Sequence, residues 1–232
     1  MNSNALKVGL LIADIDEYRN LDKYFDGKAE RCDVASLLGH KIEIEGKTKN
    51  ISLHTVCCGI GKVNAASGSA LLAKDCDILI NAGLSGGFGS AKKYDIVLGT
   101  DLIEHDFDLT PIGYELTVKP GNEGKLSCDN DLNKDILSKF NFIKDGVFVT
   151  GDKFVCTKEL HDMLTEKFNP IACDMESAAV AHSCKLFNVP FVSIRMISDG
   201  ADDDSATTYT DTLNCDKADG WTAVVFNWLK TL

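Results

Sequence analysis

Short apolar runs alternate with helical patterns along the whole chain. Residues 8–13 are a continuous apolar run, which is typical of a strand buried on both faces of a sheet, and residues 78–82 predict another buried strand. Residues 42–44 and 51–56 flank a polar turn and predict a hairpin. Further strands are predicted at residues 95–103, 147–150 and 191–197.

Helical patterns fill the intervals between these runs. They are predicted after the Gly-Ile-Gly segment at residues 59–61, and at residues 129–140, 175–187 and 213–232. The first of these helices is rich in Gly and Ala and should pack closely. Alternation of this kind predicts an α/β fold with a central mixed sheet flanked by helices, and we expect residues 1–232 to form a single domain.

Ligands in such folds bind beyond the carboxyl ends of the strands. The segments that follow the predicted strands are residues 14–17, 83–89, 151–155 and 198–202. Glu17 and Asp199 lie in two of them, and Glu176 lies at the start of a predicted helix. A structural alternative for Glu17 and Glu176 is that each is an acid favoured at the start of a helix. Three such carboxylates together would suit glycoside chemistry, which needs an acid, a base and negative charge beside an oxocarbenium-like centre.

The net charge of −11 argues against two classes of binding partner, nucleic acids and anionic membranes. Nucleic-acid binding needs a basic face, and an anionic membrane surface would repel this chain. No segment approaches the roughly 20 apolar residues that span a bilayer. The chain is 44% hydrophobic and 25% charged, which is the balance of an ordinary globular protein.

Nine cysteines are the unusual feature of the composition. Their number is odd and no CxxC pair occurs, so neither a zinc site nor a disulfide framework is predicted. The N-terminus has the wrong flanks for a signal peptide. We therefore expect reduced thiols that act as small buried hydrophobes, a cytoplasmic location, and no metal or other cofactor.

Three weaker motifs admit structural interpretations. Residues 83–87 match G-x-S-x-G, but no histidine follows Asp199 and the next residues start a helix poorly, so a serine hydrolase is disfavoured. We interpret this segment as a glycine-rich turn whose backbone approaches a ligand, which makes Ser85 and Gly86 candidate substrate contacts. His105 and Asp106 are interpreted as a hydrogen-bonded structural pair, and residues 202–204 as a solvated acidic loop.

Six motifs together resemble the 5′-methylthioadenosine/S-adenosylhomocysteine nucleosidases of the nucleoside phosphorylase superfamily. They occur in the family's order over nearly the whole chain, and their combination is highly specific. They are GIGKVNAA (59–66), NAG…GG (81–87), HDFD…GY (105–114), VTGDKF (149–154), DMESAA (174–179) and FNVPF…RMISDGAD (187–202). The resemblance implies a nucleoside phosphorylase-like fold, hydrolysis of an adenosine N-glycosidic bond, and a small-molecule nucleoside as substrate.

The resemblance also assigns catalytic roles. Asp199 matches the general acid that protonates the purine at N7, and Ser198 matches a residue that positions this acid. Glu17 matches the residue that holds and activates the attacking water together with Glu176. Glu176 also matches the acceptor for the ribose hydroxyls, and Arg195 matches an arginine that orients this carboxylate.

Five further positions match residues of the binding pocket. Phe154 matches the aromatic residue stacked on the base, and Val155 matches the position whose backbone contacts the adenine edge. Met175 matches a residue packed on the ribose, while Ile60 and Tyr209 match residues around the 5′-substituent. The family is homodimeric, and its segment matching residues 105–111 reaches toward the partner's site.

Two departures from the family pattern stand out. Asp14 replaces a Met or another apolar residue, and Leu84-Ser85 replaces Ser-Ala before the two glycines. An acid at position 14 either raises the pKa of Glu17 by repulsion or points elsewhere. Two other enzymatic interpretations stay open, a purine nucleoside phosphorylase that uses phosphate and a nucleosidase for another 5′-modified adenosine. A nucleoside-binding protein without turnover is a third.

Overall fold

Ten strands form one mixed sheet in the part of the chain that the computed structural model describes, which is residues 5–121, 124–215 and 217–232. The strands are β1 (Leu6–Ile12), β2 (Glu30–Arg31), β3 (Gly39–Glu45), β4 (Asn50–Cys57), β5 (Ile78–Gly87), β6 (Ile96–Glu104), β7 (Leu126–Ser127), β8 (Lys144–Thr150), β9 (Ala172–Asp174) and β10 (Phe191–Asp199). Their order is β10-β6-β8-β9-β5-β1-β4-β3-β2, with β7 paired to β6. Because β10 also pairs with β5, the strands β5, β10, β6, β8 and β9 close into a ring.

Helices cover the sheet. They are α1 (Ile15–Arg19), α2 (Asp22–Phe25), α3 (Lys62–Ala73), α4 (Asn130–Lys139), α5 (Lys158–Phe168), α6 (Ser177–Phe187), α7 (Ser205–Leu213) and α8 (Gly220–Leu229), and a 3₁₀ turn spans Thr110–Ile112. The expected α/β architecture with a mixed sheet is confirmed, and so is the β3–β4 hairpin.

The central strand β1 explains why the core has two sides. Its side chains point alternately to opposite faces, so Val8 and Leu10 join one apolar cluster and Leu11 joins another. The first cluster contains Trp221 and Trp228 of α8, and the second contains the apolar faces of α3 and α6. Burial on both faces accounts for the continuous apolar run in the sequence.

Helix α3 packs closely on the sheet because it has a glycine at the contact. A Cβ at Gly68 of α3 would lie 2.8 Å from the Cβ of Cys58 and 3.0 Å from Leu11 Cδ1. The expected tight packing of the Gly- and Ala-rich helix is therefore present.

The predicted glycine-rich turn is wrong, because residues 83–87 continue β5. Residues 83–86 pair with β10, and Gly86 and Gly87 pair with β9. The glycines serve close side-chain approach instead: a Cβ at Gly87 would lie 2.7 Å from Ile197 Cγ2. Strand pairing on both sides thus outweighs the turn tendency of glycine.

Two of the predicted helices begin later in the structure than the sequence indicates. The helix expected at 213–232 is α8, which begins at Gly220, while Leu213 ends α7. The Thr212 hydroxyl donates to the Ser198 carbonyl at 2.8 Å and fixes α7 at the end of β10, so the chain must turn before α8. The helix expected from Met175 begins at Ser177, because Asp174 accepts from the Ser177 amide at 3.0 Å.

The expected hydrogen bond between His105 and Asp106 is absent from the described residues. Asp106 instead accepts from Lys62 Nζ at 2.6 Å and from the Asp152 amide at 2.8 Å, which satisfy its carboxylate. His105 Nε2 is buried beside Gly151 without a described partner. The acidic residues 202–204 are exposed, as expected for a solvated loop.

Candidate active site

One cavity lies where β1, β5 and β10 end and α1 and α6 begin. Its volume is about 700 Å³ with its open mouth included. All twelve residues singled out in the sequence line it: Glu17, Ile60, Ser85, Gly86, Phe154, Val155, Met175, Glu176, Arg195, Ser198, Asp199 and Tyr209. Sequence reasoning did not assign Ala13, Lys153, Cys173 or Asp174 to the site, and it flagged Asp14 and Leu84 only as departures.

Glu17 enters the cavity because β1 ends and α1 begins immediately before it. Asp14 caps α1 by accepting from the Asp16 amide at 2.7 Å and the Glu17 amide at 3.4 Å. The first turn of the helix then directs Glu17 inward, where it is 5% exposed and accepts from the Leu84 amide at 3.2 Å. A Cβ at Gly83 would overlap Glu17 Oε2, so this carboxylate needs glycine beside it.

Burial sets the protonation of Glu17. Desolvation raises its pKa to about 8; the Arg195 charge opposes this, and the Asp14 and Glu176 charges add to it. Of the two effects considered for Asp14, repulsion toward Glu17 is therefore present. A pKa of about 8 lies close to neutral pH, the range that suits a group which takes a proton in its ionised form.

Arg195 holds a buried polar network beneath the cavity. Its guanidinium lies 2.6 Å from Asn81 Oδ1, 3.1 Å from Asp174 Oδ2, 3.2 Å from Ser177 Oγ and 3.5 Å from Glu176 Oε2. The side chain is fully buried, so these partners compensate its charge. The guanidinium thereby fixes the Glu176 carboxylate.

Glu176 is not a helix-capping acid. Its side chain makes no capping hydrogen bond to α6, and Asp174 takes that role. The other Glu176 oxygen, Oε1, accepts from the Gly61 amide at 3.0 Å, at the start of α3. Burial raises the pKa of Glu176, and the nearby Asp174 charge adds to this effect while Arg195 opposes it.

Asp199 lies at the end of β10 and is 4% exposed. Its Oδ1 accepts from the Ala201 amide at 2.9 Å, and Ser198 Oγ lies 2.6 Å from its Oδ2. Ser198 Oγ also lies 3.1 Å from the Ser85 carbonyl oxygen. A Cβ at Gly86 would lie 3.2 Å from Asp199 Oδ1 and 2.8 Å from Cys173 Sγ, so glycine makes room for the acid.

An apolar wall of the same cavity is formed by Ile60, Phe154, Val155 and Tyr209. Phe154 is 39% exposed and Ile60 is 49% exposed, although both line the cavity. The Phe154 and Tyr209 rings lie 5.8 Å apart at 72° in an edge-to-face contact. Val155 is buried beside Phe154. Exposed aromatic area inside a cavity is available to stack on a planar ligand.

Comparisons with known proteins agree with this geometry. The family model described as "Phosphorylase superfamily" matches residues 7–225. A 5′-methylthioadenosine/S-adenosylhomocysteine nucleosidase from Desulfotalea psychrophila is 34% identical over 98% of each chain. A second one, from Exiguobacterium, is 35% identical over 90% of this chain and 91% of its own. This chain belongs to that nucleosidase family within the phosphorylase superfamily.

The fold is that of the family as well. The crystal structure of the Helicobacter pylori nucleosidase with butyl-thio-DADMe-Immucillin-A has a TM-score of 0.89 to this chain at 26% identity. The match covers 99% of this chain and 100% of that one. The expected nucleoside phosphorylase-like fold is therefore confirmed, as is the family resemblance drawn from the six motifs.

The cavity lining includes one predicted contact, Ser85, and one residue that was not predicted, Cys173. The Ser85 hydroxyl is buried and has no hydrogen-bond partner in the described residues, so it is the rest of Ser85 that lines the cavity. The Cys173 thiol also lines the cavity, and burial raises its pKa far above the ordinary value. A thiol of this kind is a small apolar wall rather than a nucleophile.

Within the described residues no cluster of His, Cys, Asp and Glu is arranged to hold a metal ion. No helix there is long and apolar enough to cross a membrane.

Proposed function

We propose that this member of the family hydrolyses the N-glycosidic bond of 5′-thio-substituted adenosines, 5′-methylthioadenosine and S-adenosylhomocysteine. The products are adenine and the thioribose. The observation that carries the proposal is the meeting of Glu17, Glu176 and Asp199 in one cavity, all at most 5% exposed. Binding alone requires no such set of desolvated carboxylates, whereas glycoside hydrolysis requires an acid, a base and negative charge.

Asp199 is the proposed general acid. Adenine leaves poorly as an anion, so Asp199 gives its proton to N7 while the bond between C1′ and N9 breaks. Ser198 has one hydroxyl proton and two acceptors, Asp199 Oδ2 and the Ser85 carbonyl oxygen. The proton to be transferred is on the other oxygen, Oδ1, and is directed at N7 while Ser198 Oγ donates to Oδ2; Ser198 keeps this hydrogen bond once Asp199 is ionised. The serine thus holds the acid in place in both charge states.

Glu17 and Glu176 are proposed to hold the attacking water. Its oxygen bonds to C1′ as the purine leaves, and its proton passes to Glu17. Glu176 also accepts hydrogen bonds from the ribose hydroxyls, which strengthen as positive charge develops on the sugar. Because Arg195 binds one Glu176 oxygen and Gly61 the other, this carboxylate is fixed before substrate arrives.

The apolar wall is proposed to hold the rest of the nucleoside. Phe154 stacks on adenine, and the Val155 backbone contacts its edge. Met175 packs on the ribose, and Ile60 and Tyr209 surround the 5′-substituent. The sum of these contacts orients C1′ toward the water and N7 toward the acid.

Water is the proposed nucleophile rather than phosphate. Among the described residues that line the cavity, Arg195 is the one arginine. Its guanidinium already binds Asp174, Asn81 and Glu176, so it is not free to bind phosphate. The acidic side chains of Asp14, Glu17 and Glu176 would repel a phosphate dianion when they are ionised.

A homodimer in the cytoplasm completes the proposal. Ile112 is 70% exposed and directly follows residues 105–111, the segment that the resemblance places at the partner. Val63 is 77% exposed and follows Lys62, whose Nζ lies 2.6 Å from Asp106 Oδ1 in that segment. All nine cysteines are free, as a reducing compartment requires. Light scattering after size exclusion should give the mass of two chains, and a monomer would contradict this part.

The deciding experiment is an adenine-release assay. It compares 5′-methylthioadenosine, S-adenosylhomocysteine, adenosine and inosine, each with and without phosphate. We expect turnover of the two thio-substituted adenosines without phosphate. Turnover that depends on phosphate would identify a phosphorylase, and binding without turnover of any nucleoside would identify a binding protein.

A further inference from the structure

Asp14 places an acidic side chain on the cavity wall. It follows β1 directly, is half-buried and lines the same cavity as Ile60 and Tyr209. Under the proposed function, Ile60 and Tyr209 surround the 5′-substituent, so Asp14 lies in a position to contact that part of the substrate.

Hydrogen bonds hold one oxygen of the Asp14 carboxylate, and the other oxygen makes none to the described residues. Oδ1 accepts from the amides of Asp16 and Glu17 as the cap of α1. Oδ2 makes no hydrogen bond to any described residue. A capping side chain is held in one orientation, so the second oxygen is available to a ligand without a rearrangement.

No described Lys or Arg side chain forms an ion pair with Asp14. The nearby Arg19 binds Asp16 at 2.7 Å instead, and Arg195 binds Asp174 and Glu176. The negative charge of Asp14 therefore acts on the cavity. This charge acts on Tyr209: burial raises the pKa of the Tyr209 phenol, and the charges of Glu17 and Asp14 raise it further.

We propose that Asp14 makes this site selective for 5′-thioadenosines whose 5′-substituent ends in a cationic amine. This inference rests on the proposed function and concerns the same site. The α-ammonium of a homocysteine group supplies such a charge, and so does a simple aminoalkyl group, whereas a methylthio group does not. A partly desolvated pair of opposite charges favours the cationic substrate over a neutral one of equal size.

A pair of matched substrates tests this inference. 5′-(3-Aminopropylthio)adenosine and 5′-butylthioadenosine have the same chain length and differ in the terminal charge. We expect the wild-type protein to favour the amine by about three- to tenfold in kcat/KM at low ionic strength, and less in high salt. Asp14→Asn, which can still cap α1, should bring the ratio to about one. The control Asp16→Asn removes an exposed acid outside the cavity and should keep the wild-type ratio.

Each outcome has a defined meaning. Equal kcat/KM values for the two substrates in the wild type overturn the inference, as does a preference that survives in Asp14→Asn. If adenine is still released from both, the proposed function stands; if it is released from neither substrate nor from 5′-methylthioadenosine, the proposed function fails instead. Asp14→Ser, another capping residue, replaces Asp14→Asn if that variant misfolds. S-adenosylhomocysteine then distinguishes a homocysteine group from a simple aminoalkyl group as the preferred 5′-substituent. Its additional carboxylate should lower kcat/KM relative to the aminopropyl substrate only if the site takes simple amines.

Discussion

Ser198 Oγ lies 2.6 Å from Asp199 Oδ2, so the proposed acid is held by the side chain that precedes it in the sequence. This contact bears on the first prediction. Asp199→Asn cannot donate a proton to N7, and adenine release should fall by about a hundred- to ten-thousandfold while a substrate analogue still binds. Ser198→Ala should cost less, about ten- to hundredfold, because it removes one hydrogen bond to a charged group.

The control for these variants is Ser67→Ala, on the exposed side of α3, which should retain wild-type turnover. Single-turnover kinetics and isothermal titration with a non-hydrolysable analogue separate chemistry from binding. Near-normal turnover of Asp199→Asn would show that another group is the acid.

The second prediction concerns the dependence of activity on pH. If ionised Glu17 takes the proton from water, kcat/KM should rise with pH and level off above about 8, the pKa of this buried carboxyl. Because the Asp14 charge contributes to that pKa, Asp14→Asn should move the rise to lower pH. Glu17→Gln should lower kcat by at least about a hundredfold and leave no such rise. A pH profile that Asp14→Asn leaves unchanged would contradict the coupling.

The third prediction follows from the same carboxyl and concerns stability. The pKa of Glu17 is about 8 in the folded chain and near 4.5 when solvated, so the folded state binds the proton more tightly. This contribution to the free energy of unfolding is fully present below pH 4.5 and is lost as pH rises toward 8, by at most about 1.4 kcal/mol per pH unit. Urea denaturation between pH 5 and 8.5 should show a shallower decline for Glu17→Gln than for the wild type.

Much of the site could be predicted from the sequence because its residues stand where strands end. Glu17 follows β1 and Asp199 ends β10, and both come after β-branched, mainly apolar segments that predict buried strands. The roles of Phe154 and Val155 came from motif similarity alone, since their local pattern does not separate a stacking aromatic from a core residue.

The misses have physical causes that local patterns do not contain. Residues 83–87 are extended because β9 and β10 pair with them, and these partners lie about 85 or more positions away in the sequence. Asp174 was missed because its partner, Arg195, lies on another strand. Lys153 was missed because exposed lysines are common on any surface.

The fourth prediction tests the stacking wall. Phe154→Ala removes the exposed ring that lines the cavity and should raise KM about tenfold, with a smaller effect on kcat. Phe154→Trp should retain most of the affinity because it restores a planar surface. The matched control is Phe142→Ala, a 59% exposed phenylalanine outside the cavity, for which no change in KM is expected. Equal KM values for the two alanine variants would remove Phe154 from the binding site.

The fifth prediction concerns the network beneath the cavity. Arg195→Met keeps the volume of the side chain but leaves Asp174 and Glu176 buried without their cation. Removing one member of a buried charge network costs about 3–5 kcal/mol, so the midpoint of urea unfolding should fall strongly. Arg19→Met breaks the exposed pair with Asp16 and should cost no more than about 1 kcal/mol.

Arg195→Lys distinguishes charge from geometry in the same network. It keeps the positive charge, but an ammonium group cannot reach Asn81, Asp174 and Glu176 at once as the planar guanidinium does. We therefore expect intermediate stability together with a loss of activity nearly as large as that of Arg195→Met, because Glu176 is no longer held against the ribose. If Arg195→Lys matched the wild type in kcat/KM, the positive charge alone would suffice and the fixed orientation of Glu176 would have no part in catalysis.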